Sequence, residues 1–219
     1  MVEIRHNRVF TIVNPIDETI FNGLRLRSPV RGRVLYAGRI HPAKGLLCLA
    51  EACKRLFEKG DCTELVLVGV YDKDKGGGGD EFVAELHNVA APCPVKFGGP
   101  IADAQELADI ERTAEVFVYP SEDALGEACP IAPMEAMALG VPTVVSDMSC
   151  YMDYVKCGEN AEIFTRSNVA SLSDKVGELL RDKSRASQLA ENAVVSMSEY
   201  SRAKVAKKYE DLMSRLLMV

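Results

Sequence analysis

The sequence predicts an α/β domain of three layers, in which a parallel sheet of about six strands lies between helices in a Rossmann-like arrangement. From Arg33 onward, short apolar runs of the β type alternate with segments of helical periodicity. The clearest strand, helix and strand unit runs from Val116 to Ser146. With 219 residues and 47% hydrophobic content, the chain can bury one full core.

Charge and cysteine content exclude several classes of protein. The formal net charge is -6 and no basic stripe occurs, so neither nucleic acid nor an anionic membrane is an expected partner. Seven cysteines without a CxxC pair predict free thiols in a reducing compartment. Because the sequence lacks a signal-peptide pattern and any apolar run of about 18 residues, it predicts a cytoplasmic protein without a transmembrane segment.

Residues 1–32 are predicted to be a linker that carries one isolated strand. A β-type run spans Val9 to Val13, and Asn14-Pro15-Ile16-Asp17 then leads into a polar, arginine-rich connector. The domain proper is predicted at residues 33–200, and a separate C-terminal helix at 201–219.

The first unit of the domain places two cations at the end of a strand. Val34 to Ala37 predicts that strand, and a helix follows to about Lys59, where Gly60 ends it. Arg39 and Lys44 lie in the loop between them. Cations at this position can neutralise a diphosphate, although lysine and arginine are also ordinary surface residues.

The remaining elements continue the alternation to the C-terminus. They are strands at Glu64 to Val70, Val95 to Phe97 and Ala161 to Phe164, and helices at Glu81 to Ala90, Asp103 to Thr113, Asn168 to Arg181, Ser184 to Met197 and Ser201 to Leu217. The loop with Gly76 to Gly79 is predicted to be a flexible connector, because no Lys-Ser or Lys-Thr follows the glycines. The last helix carries an apolar stripe.

The helix after Tyr119 has a predicted start that suits an anion. Pro130 and Pro133 lack an N–H group and are tolerated in a first turn, which places the start near Ile131, and Gly140 suits the end. Unpaired N–H groups near Ile131 and Ala132 can then hold a phosphate.

Two glutamates flank the start of this helix. Glu127 precedes it and Glu135 lies about one turn inside it. Carboxylates accept hydrogen bonds from paired sugar hydroxyls, so the two predict a nucleotide whose ribose and second sugar are both held. The spacing fits equally well a solvated loop glutamate and an ordinary first-turn glutamate.

Three segments resemble one known family. Glu127, the seven residues after it, Glu135 and the following Ala-Met-Ala-Leu-Gly-Val-Pro resemble the paired-glutamate signature of the retaining glycosyltransferases that include glycogen synthase and sucrose synthase. The residues from Gly38 to Gly45, Gly-Arg-Ile-His-Pro-Ala-Lys-Gly, are similar to that family's diphosphate-binding loop. Val13 to Phe21 is similar to the crossing between the family's two domains.

The resemblance implies the C-terminal, donor-binding half of a GT-B fold. Its partners would be a nucleoside diphosphate sugar, with uridine, guanosine and adenosine all open as the nucleoside (UDP, GDP or ADP), and an N-terminal Rossmann-like domain supplied in cis or in trans. The reaction would transfer the sugar to a hydroxyl acceptor with retention of configuration, in polysaccharide or glycoconjugate synthesis. The resemblance implies no metal and no other cofactor, because cationic side chains take the metal's role.

The resemblance also implies roles for individual residues. Glu127, Arg39 and Lys44 would be catalytic, Glu127 through the donor sugar and the two cations through the diphosphate. Glu135 would bind the ribose and the backbone of Ile101 the base. The other implied donor-binding residues are Gly38, Pro130, Ile131 and Ala132. Family members often carry Phe-Gly where this chain has Cys129-Pro130, a difference that narrows the loop beside the donor sugar.

Three other functions fit the same residues. A nucleotide-sugar epimerase or a phosphorylase of this fold holds similar ligands, but the first needs no acceptor and the second needs free phosphate. A non-catalytic nucleotide-sugar-binding subunit of a split transferase would lend its half of a site to a partner chain.

Overall fold

Six strands form one all-parallel sheet in the order β3-β2-β1-β4-β5-β6. The computed structural model describes residues 10–23, 28–122 and 127–217. Its strands are β1 (Arg33–Ala37), β2 (Glu64–Val68), β3 (Val95–Gly99), β4 (Val116–Tyr119), β5 (Thr143–Ser146) and β6 (Glu162–Phe164). The predicted α/β class and parallel sheet are therefore confirmed.

The helices of the described residues fall into two groups. They are α1 (Leu46–Glu58), α2 (Gly79–Ala90), α3 (Ala104–Glu111), α4 (Ala132–Ala138), α5 (Val169–Arg181), α6 (Lys183–Met197) and α7 (Arg202–Leu217). Helix α1 contacts α2 and α5, whereas α4 contacts α3 and α6. Because the strand order reverses between β1 and β4, right-handed crossovers place the two groups on opposite faces of the sheet.

Burial explains why the central strands are visible in the sequence. Every residue of β2, β4 and β5 is buried, since helices cover both faces of a parallel sheet. The edge strand β3 has no fully buried residue, and half-buried and exposed residues alternate along it. A buried strand in such a sheet is a continuous apolar run, and this is the pattern that predicted them.

Backbone chemistry sets the helix ends as predicted. The Asp103 side chain accepts a hydrogen bond from the Glu106 N–H at 2.8 Å and caps α3. Helix α4 begins at Ala132, one residue after Ile131, and Gly140 follows its end with φ of 69°. All seven cysteines are free, in agreement with the prediction.

The isolated strand predicted for Val9 to Val13 is wrong over its described part. Residues 10–13 form no strand, and no described residue offers them a ladder of hydrogen bonds, which a strand requires. The chain meets α7 instead, where the Ile16 N–H donates to the Tyr200 carbonyl at 2.9 Å. Val9 lies outside the described residues.

The glycine-rich loop packs onto the loop after β1, in contrast to the flexible connector predicted for it. The Gly78 N–H donates to the Ile40 carbonyl at 2.8 Å, and the Gly79 N–H donates to the Tyr71 carbonyl at 2.7 Å. Residues without side chains allow this approach, because a Cβ at Gly77 would lie 2.2 Å from the Tyr71 carbonyl oxygen.

The apolar stripe of α7 is largely exposed. Val205 is buried near the start of the helix, whereas Tyr209, Met213 and Leu216 are each about half exposed. No helix within the described residues combines the length and the apolar character needed to cross a bilayer.

Candidate functional site

A crevice lies at the carboxyl ends of the strands, where the strand order reverses between β1 and β4. Open α/β sheets bind ligands at such a switch point. The backbones of the loops there are in direct contact. A Cβ atom added at Gly69 would lie 1.8 Å from the Gly38 carbonyl oxygen, and a Cβ atom added at Gly45 would lie 2.1 Å from the Pro120 carbonyl oxygen. Glycine is therefore required at both positions.

The first cavity lies over the loops after β1, β2 and β3. It has a volume of about 280 Å³, and its lining includes four predicted site residues, namely Gly38, Arg39, Ile101 and Ala132. The other lining residues are apolar or glycine: Ala37, Val68, Gly69, Val70, Pro100 and Leu107. Arg39 is thus the one charged residue of the lining, so the cavity suits a ligand with a flat apolar part and an anionic part.

The Arg39 guanidinium is available to a ligand. The guanidinium makes no hydrogen bond or ion pair with any described residue. The backbone carbonyl of Arg39 accepts a hydrogen bond from Tyr36 Oη at 2.9 Å. The glycine-rich loop approaches it, since a Cβ at Gly76 would lie 3.4 Å from Arg39 Nη1. An unpaired guanidinium at a cavity wall offers a planar fork of donors to a phosphate.

Lys44 and Glu127 form a buried ion pair across the switch point. Both side chains are nearly inaccessible, with exposed fractions of 6% and 7%. The same Glu127 oxygen accepts hydrogen bonds from Tyr119 Oη at 3.1 Å and Ser121 Oγ at 2.9 Å. Burial and the Glu127 charge both raise the pKa of Tyr119, which therefore stays a neutral donor.

This pairing differs from the roles implied by the resemblance, in which Lys44 binds the diphosphate and Glu127 the sugar. A buried charge is unfavourable unless it is paired, and in the absence of a ligand each of the two is the other's counterion. An anion entering the crevice would meet Lys44 already neutralised. Arg39 is consequently the stronger candidate for the first contact with an anion.

A second cavity lies over the ends of β4, β5 and β6. It has a volume of about 140 Å³ and is lined by Glu127, Asp147, Met148, Ser149, Cys150 and Arg166. The Arg166 N–H donates to the Asp147 carboxylate at 3.0 Å. This lining is polar, whereas that of the first cavity is apolar apart from Arg39, so the second cavity suits a ligand with several hydroxyl groups.

Glu135 lies in the first turn of α4 but is not part of the lining of either cavity. Burial raises its pKa to about 7. Glu111, at the end of α3, is fully buried, and neither of its carboxyl oxygens has a hydrogen-bond partner. Burial and, secondly, the Glu135 charge raise the pKa of Glu111 well above its ordinary value.

Two side chains from other elements hold the loop before α4, which we call the Glu127 loop (residues 127–131). Asn14 Nδ2 donates to the Cys129 carbonyl at 3.1 Å, and Tyr154 Oη donates to the Pro130 carbonyl at 3.3 Å. Pro130 is buried, whereas Ile131 is 40% exposed and caps α4 without a side-chain hydrogen bond.

Five tyrosines form a continuous row from the site to the start of α7. Ring centroids of successive members lie 5.4, 6.5, 6.3 and 6.4 Å apart in the order Tyr36, Tyr119, Tyr151, Tyr154 and Tyr200. Tyr36 stacks on Tyr119, and the other contacts are edge to face. Tyr119 contacts Glu127 and Tyr154 contacts Pro130, so the row joins two supports of the Glu127 loop.

The sequence did not identify several of these residues. Tyr119 and Ser121 hold Glu127, and Glu111 lies near Glu135, but no local motif marks any of them. Glu111 carried one usable signal, since a glutamate on the apolar face of a helix is unusual. Asn14 lay within the segment that resembles an interdomain crossing, but it had no predicted contact.

Comparison with protein families gives one match over more than half of the chain. Residues 27–195 match the model described as "Glycosyl transferases group 1". Among curated proteins, the chain is 30% identical over 152 residues to a phosphatidyl-myo-inositol mannosyltransferase of Mycobacterium leprae, covering 68% of this chain and 37% of that protein. It is 29% identical over 186 residues to a lipopolysaccharide 1,2-N-acetylglucosaminetransferase of Salmonella typhimurium, covering 82% and 47%. The chain spans less than half the length of these two relatives.

Solved structures show the same fold at lower identity. Sucrose-phosphate synthase from Thermosynechococcus elongatus superposes with a TM-score of 0.79 at 23% identity, over 94% of this chain and 52% of that one. Anabaena HepE in complex with UDP and glucose gives 0.77 at 21% identity, over 96% and 58%. The C-terminal domain of LpcC, a group 1 family glycosyl transferase from Francisella tularensis, gives 0.71 at 20% identity, over 85% and 99%.

Proposed function

Because this chain belongs to the glycosyl transferases group 1 family, we propose that it is the donor-binding half of a retaining glycosyltransferase. It would bind a nucleoside diphosphate sugar and present the sugar to a hydroxyl acceptor held by a second, N-terminal domain. One observation carries the proposal. An apolar cavity with one unpaired arginine and a polar cavity beside Glu127 lie along the same edge of the sheet, on either side of the switch point.

We assign the nucleotide to the first cavity. The base would lie between the apolar walls, where the backbone of Ile101 offers the polar contacts and no lining side chain other than Arg39 is charged. Arg39 would hold the diphosphate with its planar fork and, as the bond to the sugar breaks, stabilise the charge that develops on the leaving phosphate. The amides of Ile131 and Ala132 would add donors from the start of α4.

We assign the donor sugar to the second cavity. Glu127 would accept hydrogen bonds from the sugar hydroxyls, and Asp147 and Ser149 are further polar groups of the same lining. In this proposal Lys44 lies between the two parts of the donor, near enough to Glu127 to share its charge with the diphosphate. Glu135 would accept hydrogen bonds from the ribose hydroxyls, for which its carboxylate form is needed.

A binding experiment tests the proposal on the chain as it exists. Calorimetric titration with UDP, GDP and ADP and with their glucose derivatives should find one base that binds. Arg39→Ala should weaken that diphosphate by about 1.5 to 3 kcal/mol, the range of a hydrogen bond to a charged group, and leave the free nucleoside unaffected. Arg55→Ala is the matched control, because Arg55 is an exposed cation on α1 that pairs with Glu51. Equal losses for the nucleoside and the diphosphate would refute the role of Arg39.

Turnover should require the second wall of the cleft. Positioning two substrates together is worth about 7 to 11 kcal/mol of barrier at ideal geometry, and this half of the site holds only one of them. We therefore expect this chain alone to release nucleoside diphosphate far more slowly than about 1 per second, even with acceptors present. Adding a candidate N-terminal domain should restore release that depends on the acceptor. Ordinary turnover by the chain alone would contradict the half-site assignment.

The same assays separate the alternatives. A nucleotide-sugar epimerase would convert its donor without an acceptor, and a phosphorylase would need inorganic phosphate. A non-catalytic binding subunit would bind the donor but would never support turnover with any N-terminal partner. The unpaired Arg39 in the lining of the first cavity supports the transferase, since it can stabilise the charge of a departing diphosphate.

A further inference from the structure

The segment of residues 14–18, which we call the linker segment, is held against the start of α7. The Ile16 N–H donates to the Tyr200 carbonyl at 2.9 Å, and the Ile16 side chain is buried. An ion pair of 2.8 Å joins Asp17 to Arg202. Glu18 accepts the Arg202 N–H at 3.0 Å, so a linker carboxylate satisfies the first backbone donor of α7.

The other end of the linker segment touches the Glu127 loop. Asn14 Nδ2 donates to the Cys129 carbonyl at 3.1 Å across 115 residues of sequence. Tyr154 Oη donates to the Pro130 carbonyl, and the Tyr154 ring contacts Tyr200, whose carbonyl accepts the Ile16 N–H. Two consecutive carbonyls of the loop thus each accept a hydrogen bond from a side chain outside it.

We propose that Asn14 is a positioning residue for the donor sugar, acting through the Glu127 loop; this proposal rests on the function proposed above. Cys129 lies two residues after Glu127, so the orientation of the Cys129 carbonyl constrains the backbone that carries the carboxylate. The first cavity contains no residue of the linker segment or the Glu127 loop. Asn14 therefore affects the sugar end of the donor and leaves the nucleotide end unchanged.

The test compares each nucleoside diphosphate with its sugar derivative on the same protein. Asn14→Asp keeps the size of the side chain but removes the donor and sets a carboxylate against the Cys129 carbonyl. We expect the dissociation constant of UDP-glucose, or of GDP-mannose or ADP-glucose if the panel selects that base, to rise about fivefold, as for one lost neutral hydrogen bond. The dissociation constant of the corresponding diphosphate should stay within about twofold.

Asn22→Asp is the matched control. It makes the same chemical change at an exposed asparagine nearby, where Asn22 Nδ2 donates only to the Glu18 carbonyl. It should leave both dissociation constants unchanged. Tyr154→Phe keeps the ring contacts and removes the hydrogen bond to Pro130, so it should reproduce the selective loss for the sugar derivative.

The outcomes are distinct. A selective loss with Asn14→Asp and none with Asn22→Asp supports the proposal, provided that the melting temperatures match. If the wild-type protein binds its donor and Asn14→Asp weakens neither ligand, or weakens both equally, Asn14 has no positioning role. If the wild-type protein binds none of the probes, the proposed function fails and this proposal fails with it.

Discussion

The two ends of the sheet differ in how far their charged side chains are paired. At the amino ends of the strands, three buried carboxylates are fully engaged. Glu64 pairs with Arg33 and Lys96, both at 2.6 Å, and Glu162 pairs with Lys175 at 2.8 Å and Arg185 at 2.7 Å. Glu115, just before β4, pairs with Lys183 and accepts the Gly32 N–H at 2.5 Å. The Glu64 pairs join β2 to β1 and β3, and the Glu162 pairs join β6 to α5 and α6.

At the carboxyl ends, charges remain unmatched within the described residues. Arg39 has no ion-pair partner, and Glu135 has no cation against it. Lys44 and Glu127 are matched only with each other. A fold can leave polar groups unsatisfied where a ligand completes them, so the difference supports the proposal that the carboxyl end binds the ligand.

Substitution in the Lys44 and Glu127 pair should have the largest effect, because this pair is a buried ion pair, like those at the amino ends, and also lies in the candidate site. Lys44→Ala should lower the free energy of unfolding by about 3 to 5 kcal/mol, since it leaves Glu127 buried without a counterion. It should also weaken diphosphate binding. The double variant Lys44→Met, Glu127→Gln removes both charges and should recover most of the stability but none of the binding. Urea unfolding and calorimetry measure the two effects, and recovery of binding in the double variant would show that the pair is purely structural.

The amino end should lose stability without losing function. Glu162→Gln should lower the free energy of unfolding by about 3 kcal/mol, because two cations lose the charge they share at a side chain that is 2% exposed. The dissociation constant of the diphosphate should not change. Glu51→Gln on α1 is the control: its pairs with Lys54 and Arg55 are exposed, and we expect less than about 0.5 kcal/mol. Weaker binding by Glu162→Gln would break the comparison.

A smaller effect should appear in the pH dependence of stability. Glu135 has a pKa raised from 4.5 to about 7 by burial. Between these values the folded protein holds a proton that the unfolded chain has released, so stability falls as pH rises through this window. Glu135→Gln cannot ionise and should remove this part of the slope. Urea unfolding at about pH 5 and pH 7.5 measures it, and an unchanged slope in the variant would assign the effect elsewhere.

The affinity for the ligand should change with pH in the direction opposite to the change in stability. If the carboxylate of Glu135 accepts the ribose hydroxyls, the affinity for the nucleoside diphosphate should fall as pH drops below about 7. The limit is about tenfold per pH unit. The diphosphate also titrates, so the Glu135→Gln variant serves as the reference. Parallel pH profiles for the wild-type protein and the variant would separate Glu135 from the ribose.

Local chemistry made most of the fold predictable. The buried strands are uninterrupted apolar runs, and Pro133 and Gly140 mark the ends of α4 within a residue of where the structure has them. The prediction of an isolated strand was wrong because a β-type run does not show whether a neighbouring strand is present to pair with it. The prediction of a flexible glycine-rich loop was wrong for a related reason, since contacts with Ile40 and Tyr71, and not the composition of the loop, set its conformation.

The candidate site was predictable only in part. Arg39, Lys44, Glu127 and Glu135 were selected through the resemblance to a known family, because their positions at strand ends and helix starts fit ordinary surface residues as well. The pairing of Lys44 with Glu127 joins residues 83 positions apart, and no local pattern encodes it. Glu111 and Tyr154 were missed for the same reason, because their importance comes from what the fold places beside them.

The row of tyrosines also determines how the protein emits light. The chain contains no tryptophan and seven tyrosines, so its intrinsic fluorescence comes from tyrosine, and five of the seven belong to the row. Rings at these separations exchange excitation energy. Tyr119 contacts Glu127, so a charged ligand that binds there would quench its emission, and energy transfer would extend the quenching to the other tyrosines of the row. Unlabelled protein therefore carries its own optical reporter for occupancy of the crevice, and tyrosine emission can follow titrations without a dye.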